Sequence, residues 1–140
     1  GWRVQHGRKL RWPVAQASDG IMAHLPGMQT DIELVHAVQK RKLVIDTKFT
    51  HIFKETHYKS EMLRSGYLYQ LYAYLHTQAE QLQAQGIEHS EGMLLHPQCG
   101  QAMDAYVDMQ GHRMRFKTID LMCSAGEFER QLLSIVCTAT

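Results

Sequence analysis

The residues whose types and spacing most clearly suggest chemistry are Asp46 and Lys48, at the end of the apolar run Leu43, Val44 and Ile45. A short continuous apolar run predicts a buried strand. Because strand side chains alternate between faces, the acid and the lysine should project to the same side. Burying both charges is costly unless they serve each other or a ligand. A surface ion pair and a catalytic pair are the two interpretations.

A second acid, Asp31, lies upstream in residues 27–34, where alternating apolar and polar side chains predict one half-buried strand. One face of this strand would carry Met28, Thr30, Ile32 and Leu34, and the other would carry Gln29, Asp31 and Glu33. The polar residues 39–42 predict a hairpin loop, and antiparallel pairing would bring Asp31 close to Asp46. Neighbouring carboxylates repel unless a cation lies between them. Oxygen ligands of this kind suit Mg²⁺ or Mn²⁺.

Length and composition predict one soluble globular domain spanning residues 1–140, with 44% hydrophobic and 21% charged residues. The formal charge of +1 provides no global basic field, so any contact with nucleic acid would be local. The odd set of Cys99, Cys123 and Cys137 lacks CxxC spacing, which predicts reduced thiols in a cytoplasmic protein. No apolar run approaches ~18 residues, so we expect no membrane span.

Two basic segments flank these acids. Residues 6–13 carry His6, Arg8, Lys9, Arg11 and Trp12 and end at a proline. This segment is either a solvated entry to the domain or a strip that contacts phosphates. Residues 50–64 are polar and predict a loop or a short helical excursion whose cations are candidates to line a groove.

The strongest helix signal begins at Ser65, a plausible N-cap, and ends at Gly86. Gln70 and Tyr74 stand four residues apart on one face of this helix. They are either a satisfied polar pair in the core or a contact to a metal-bound water or a DNA phosphate. Beyond this helix we expect strands over 91–97, 105–109 and 114–121. A closing helix over 127–136 should follow, its apolar face formed by Phe128, Leu132 and Ile135 or Val136.

In this order, a strand with Asp31, a strand with Asp46 and Lys48, and a helix with Gln70 and Tyr74 resemble the PD-(D/E)XK nucleases. The QxxxY spacing is similar to that of their RecB-like branch. More narrowly, the chain resembles the C-terminal nuclease half of the McrC family, the cleavage subunits of bacterial systems that restrict DNA with methylated cytosine. The matching stretches are MQTDI (28–32), DTKF (46–49), LYQLYAYL (68–75) and GMLLHP (92–97). Thr30 stands where the name of the superfamily has proline.

The resemblance implies an α/β fold of the restriction-endonuclease-like type, with a central mixed β-sheet flanked by helices. It also implies a site for Mg²⁺ or Mn²⁺ held by Asp31 and Asp46, with the Thr47 carbonyl as a third ligand. Glu33 is a lower-ranked second acid on the Asp31 face. The acid that some relatives carry on a helix before the first strand is not identifiable here.

The same resemblance implies roles for three further side chains. Lys48 would position or activate the attacking water and stabilise charge on the phosphate. Gln70 would orient this water or the Lys48 end of the site, and Tyr74 would brace Gln70 or touch the DNA backbone.

The function implied is metal-dependent endonucleolytic cleavage of double-stranded DNA, with an McrB-like AAA+ GTPase motor as partner. McrC proteins carry a further N-terminal half that engages the motor, so we expect this chain to be a fragment or a shortened relative. The alternative is a non-catalytic assembly module that keeps the fold and docks to the motor. A metabolic α/β enzyme is disfavoured because the chain has no glycine-rich phosphate loop.

Overall fold

A computed structural model of the chain describes residues 1–49, 53–55 and 61–137. The elements in order are β1 (Trp2–His6), β2 (Lys9–Leu10), a 3₁₀ helix (Ile21–His24), β3 (Met28–Gln29), β4 (Ile32–His36), β5 (Arg41–Thr47), β6 (Phe53–Glu55), β7 (Glu61–Leu63), α1 (Ser65–Ala84), β8 (His89–Pro97), β9 (Asp104–Met109), β10 (His112–Ile119) and α2 (Ala125–Cys137). Neither α1 nor α2 combines the length and apolar character needed to cross a bilayer.

The centre of the fold is a mixed six-stranded sheet in the order β1-β4-β5-β8-β10-β9. Strands β5, β8 and β10 run parallel to one another, and β1, β4 and β9 extend the sheet by antiparallel pairing. The connection between the parallel strands β5 and β8 contains α1, as a parallel crossover requires. The predicted α/β class with a central mixed sheet is therefore confirmed.

Each face of the sheet carries its own apolar core, one containing α1 and the other containing α2. Along β5, Val44 packs with Leu71 and Leu75 of α1, whereas Leu43 and Ile45 belong to the cluster of α2. Strand β5 is thus covered on both faces. This explains why its sequence reads as an unbroken apolar run and not as an alternation.

The prediction of one continuous strand over residues 27–34 is wrong. The chain forms β3, bends at Asp31, and then begins β4. Met28 packs in the α1 cluster, whereas Ile32 packs in the α2 cluster. The prediction of a half-buried strand is also wrong, since Glu33 is fully buried. The alternation of apolar and polar residues continues through Asp31, so the sequence gives no sign of the bend.

Four other expectations change at the level of single elements. Residues 2–6 form strand β1 and residues 9–10 form strand β2, where the sequence predicts no strand. Residues 53–55 and 61–63 form a two-stranded hairpin and not a loop or helix, while 50–52 and 56–60 lie outside the described residues. Helix α1 begins at Ser65, so Arg64 occupies the N-cap. Leu132 is 41% exposed and does not share the packed face of Phe128 and Ile135.

A glycine in β8 sets how closely α1 approaches the sheet. A Cβ placed on Gly92 would lie 2.7 Å from Leu71 Cδ1 and 2.8 Å from its Cγ. Leu71 is itself buried in the α1 cluster, so it has little freedom to move away. Gly92 therefore allows the helix to seat directly on the central strands.

We expect Gly92→Ala to lower the free energy of unfolding by about 1–3 kcal/mol because it overpacks this contact. Denaturant unfolding measures the change. Gly126→Ala in α2 is the matched control, since nothing lies within 4 Å of its added Cβ. Equal stability of Gly92→Ala and the parent chain would contradict this role of Gly92.

Candidate active site

The two predicted metal-binding acids lie side by side at the end of neighbouring strands. The β4–β5 register pairs Ile32 with Ile45, so Asp31 stands opposite Asp46 one position further along. Asp31 is held from the β5 side: its Oδ2 accepts hydrogen bonds from the Thr47 backbone N–H at 2.9 Å and from the Thr47 hydroxyl at 3.0 Å. The predicted approach of the two carboxylates is confirmed.

Lys48 joins the acids to α1. Its Nζ lies 3.3 Å from Asp46 Oδ2 and donates a hydrogen bond of 3.3 Å to Gln70 Oε1. The same ammonium stands 4.8 Å from the ring centroid of Tyr67, within range of a cation–π contact. The Lys48 backbone N–H donates to the Leu95 carbonyl at 3.0 Å, which anchors the end of β5 to β8. Lys48 is thus oriented by groups from three elements, β5, α1 and β8.

Gln70 and Tyr74 face the same end of the sheet, as their spacing predicts, but they have different partners. Gln70 reaches Lys48. The Tyr74 hydroxyl donates a 2.5 Å hydrogen bond to Glu33 Oε1, and Tyr74 is only 4% exposed. Burial, reinforced by this hydrogen bond and the charge of Glu33, raises the pKa of Tyr74, so its hydroxyl remains a donor. The structure places Tyr74 beneath the site and Gln70 in it.

A small cavity lies between the acids and the helix. Its volume is about 30 Å³, enough for one or two waters. The residues lining it are Met28, Gln29, Thr30, Asp31, Val44, Ile45, Asp46, Gln70, Leu71 and Tyr74. In residues 1–49, 53–55 and 61–137, no cluster of three or more His, Cys, Asp or Glu side chains is arranged to hold a metal. Two carboxylates nevertheless fit Mg²⁺, which commonly takes one or two together with waters and substrate phosphates.

The two acids have different proton affinities. Burial, followed by a hydrogen bond with Asp31, raises the pKa of Asp46 to about 6, against the opposing charge of Lys48. Partial burial also acts to raise the pKa of Asp31. The hydrogen bonds from Thr47 and Asp46 and the charge of Lys48 outweigh burial and leave the pKa below its usual range. Without a cation between them, the pair therefore tends to share one proton at mildly acid pH.

Sequence reasoning missed a buried charge cluster directly behind the acids. Glu33 Oε1 lies 3.0 Å from Lys42 Nζ, and Glu33 Oε2 lies 2.9 Å from Arg8 Nε. The sequence predicts that Lys42 lies in the hairpin loop, but it lies inside β5 and is only 4% exposed. Lys42, Val44 and Asp46 follow one another at intervals of two residues. Because strand side chains alternate between faces, this spacing predicts that Lys42 lies on the same face as Val44, which α1 covers.

A larger cavity lies away from these acids. It measures about 640 Å³ and borders the opposite ends of β5, β8 and β10. Its charged walls include the ion pairs Arg41–Glu91 at 3.1 Å and Arg113–Asp108 at 2.8 Å. Since these groups neutralise one another, the converging acids and Lys48 are the stronger candidate site despite their smaller cavity.

Compared with models of protein families and with curated protein sequences, the chain matches none of them. The case for its function therefore rests on the geometry of the site and on the order of its motifs.

The raised pKa of Asp46 predicts a pH-dependent stability of the metal-free protein. The proton on Asp46 stabilises the folded state below its ordinary pKa of 3.8, and this contribution is lost as the pH rises through about 6. Asp46→Asn removes the buried charge. Between about pH 4 and about pH 8, we therefore expect the free energy of unfolding of Asp46→Asn to increase by about 1 kcal/mol relative to that of the parent.

Urea unfolding in the presence of a chelator, at both pH values, measures this difference. Asp104→Asn, an acid of β9 paired with Lys117 at the far edge of the sheet, is the control. A stability difference between Asp46→Asn and the parent that is the same at both pH values would refute a raised pKa at this position.

Proposed function

We propose that this chain is a Mg²⁺- or Mn²⁺-dependent endonuclease domain that hydrolyses phosphodiester bonds of double-stranded DNA. The observation that carries the proposal is the convergence of four side chains at one end of the sheet: Asp31 just before β4, Asp46 of β5, Lys48 just after β5, and Gln70 of α1. Two carboxylates with a lysine beside them provide cation binding and phosphate stabilisation in one place.

The roles of the residues follow from their contacts. Asp31 and Asp46 would hold the divalent ion, and Thr47 keeps Asp31 in place through its N–H and hydroxyl. A bound Mg²⁺ or Mn²⁺ supplies Lewis-acid stabilisation of phosphate oxygens and lowers the pKa of a coordinated water. Lys48, fixed between Asp46 and Gln70, presents its ammonium where negative charge on the phosphate increases.

Several supporting features are compatible with a restriction-endonuclease-like fold. The acids end two adjacent strands of a mixed sheet, and the QxxxY helix packs on the same face. The motif order supports an McrC-like cleavage subunit of a restriction system acting on modified cytosine in the cytoplasm, with an McrB-like AAA+ GTPase as its motor.

The nature of the charges favours catalysis over a docking module. Asp46 and Lys48 side chains are 16% and 22% exposed, so both are largely removed from water. Burying an ion pair offers little net stability, and a module that acts only by docking has no use for it. A cation and a phosphate as ligands explain why these groups are held together.

The test is cleavage of plasmid DNA with Mg²⁺ or Mn²⁺ by the parent and by Lys48→Ala. We expect Lys48→Ala to cut at least about 100-fold more slowly, since it removes the preorganised positive charge at the phosphate. Lys117→Ala is the matched control, because this lysine is also paired with an acid, Asp104, at 3.2 Å but lies on β10. A Lys48→Ala variant that cuts at the parent rate would exclude the proposed role of Lys48.

A further inference from the structure

The buried carboxylate of Glu33 is surrounded by more positive charge than its single negative charge can neutralise. Its partners are Lys42 at 3.0 Å and Arg8 at 2.9 Å, together with the Tyr74 hydroxyl. Two cations and one anion leave the cluster with a formal charge of one positive unit. An excess charge in a protein interior is expensive unless solvent or an anion reaches it.

Within this cluster, the excess charge is accessible at Arg8. The side chains of Glu33 and Lys42 are 0% and 3% exposed, whereas that of Arg8 is 36% exposed. Glu33 therefore pairs with the Nε edge of the guanidinium while part of the group faces solvent. A planar guanidinium that is paired at one edge can bind a phosphate through the donors that face solvent.

The backbone places Arg8 next to the acid pair. The Gly7 N–H donates to the Asp31 carbonyl at 3.1 Å, and the Thr30 N–H donates to the Arg8 carbonyl at 3.1 Å. Glu33 follows Asp31 by two residues and lies just inside β4. Arg8 is thus tied by its backbone and by its ion pair to the segment that carries Asp31, and it does not line the small cavity at the acids.

The geometry points to Arg8 as a DNA-binding residue that contacts a backbone phosphate next to the one that a cation on Asp31 and Asp46 would bind. The identity of this anion rests on the proposed function. Both interpretations of residues 6–13 then apply, each to a different residue. Arg8, which is paired with Glu33, binds phosphate, whereas the neighbouring Lys9 is exposed and belongs to a solvated surface.

The experiment is binding of a short DNA duplex by fluorescence anisotropy, in a chelator and without divalent metal, from about 50 to 200 mM salt. The slope of log K against log salt counts the phosphates that are neutralised. We expect Arg8→Ala to reduce the magnitude of this slope by about 0.9, as the loss of one phosphate contact requires. Arg8→Lys should retain the slope because it keeps a point charge at the same place.

Lys9→Ala is the matched control, since it removes one positive charge from the adjacent position, and it should leave most of the slope intact. Thermal melting of each variant separates a loss of folding from a loss of contact, because a purely structural role would lower the melting temperature without changing the slope. An unchanged slope in a folded Arg8→Ala, an equal loss in Lys9→Ala, or no binding of the duplex by the parent would overturn the inference.

This experiment separates the inference from the proposed function. Because no metal is present, it requires neither metal binding nor cleavage. A chain that shows the Arg8-dependent slope but never cuts DNA would retain Arg8 as a phosphate contact and lose the nuclease proposal. If the parent cuts DNA and Arg8→Ala leaves the slope unchanged, the nuclease proposal is retained and Arg8 is excluded as a phosphate contact.

Discussion

The antiparallel pairing of β4 with β5 is the constraint on which the site depends. It brings Asp31 opposite Asp46 and so forces two carboxylates together at the end of the strands. Their repulsion is relieved by Thr47, which donates twice to Asp31, and by Lys48, which lies 3.3 Å from Asp46. A cation bound by both acids would remove the repulsion that remains. When no cation is bound, a proton shared by the two acids relieves it instead.

Helix α1 completes the site because two contacts hold it against the sheet. The absence of a side chain at Gly92 lets Leu71 approach β8 directly, and the Tyr74 hydroxyl is bonded to the buried Glu33. With both contacts made, Gln70 reaches Lys48 from the helix. The buried charges around Glu33 thus have a positional role that the acid pair itself cannot supply.

Sequence patterns predicted the elements governed by local rules and missed those governed by distant partners. The continuous apolar run of β5 and the stop of α1 at Gly86 are signals encoded in a few neighbouring residues, and both appear as expected. The bend at Asp31 and the burial of Lys42 depend instead on contacts with residues far along the chain. Strand pairing predicts that Asp31 and Asp46 approach each other, and the resemblance to the nucleases implies that Gln70 lies near Lys48. Neither predicts that Tyr74 bonds to Glu33.

The central claim is that the paired acids bind a divalent cation, and calorimetric titration of the parent chain and of Asp46→Ala with Mn²⁺ tests it most directly. Asp104→Ala, which removes an acid at the other edge of the sheet, is the control. The account predicts that the parent and Asp104→Ala bind Mn²⁺ and that Asp46→Ala does not. Absence of binding by the parent, with or without a DNA duplex, or full binding by Asp46→Ala would contradict it.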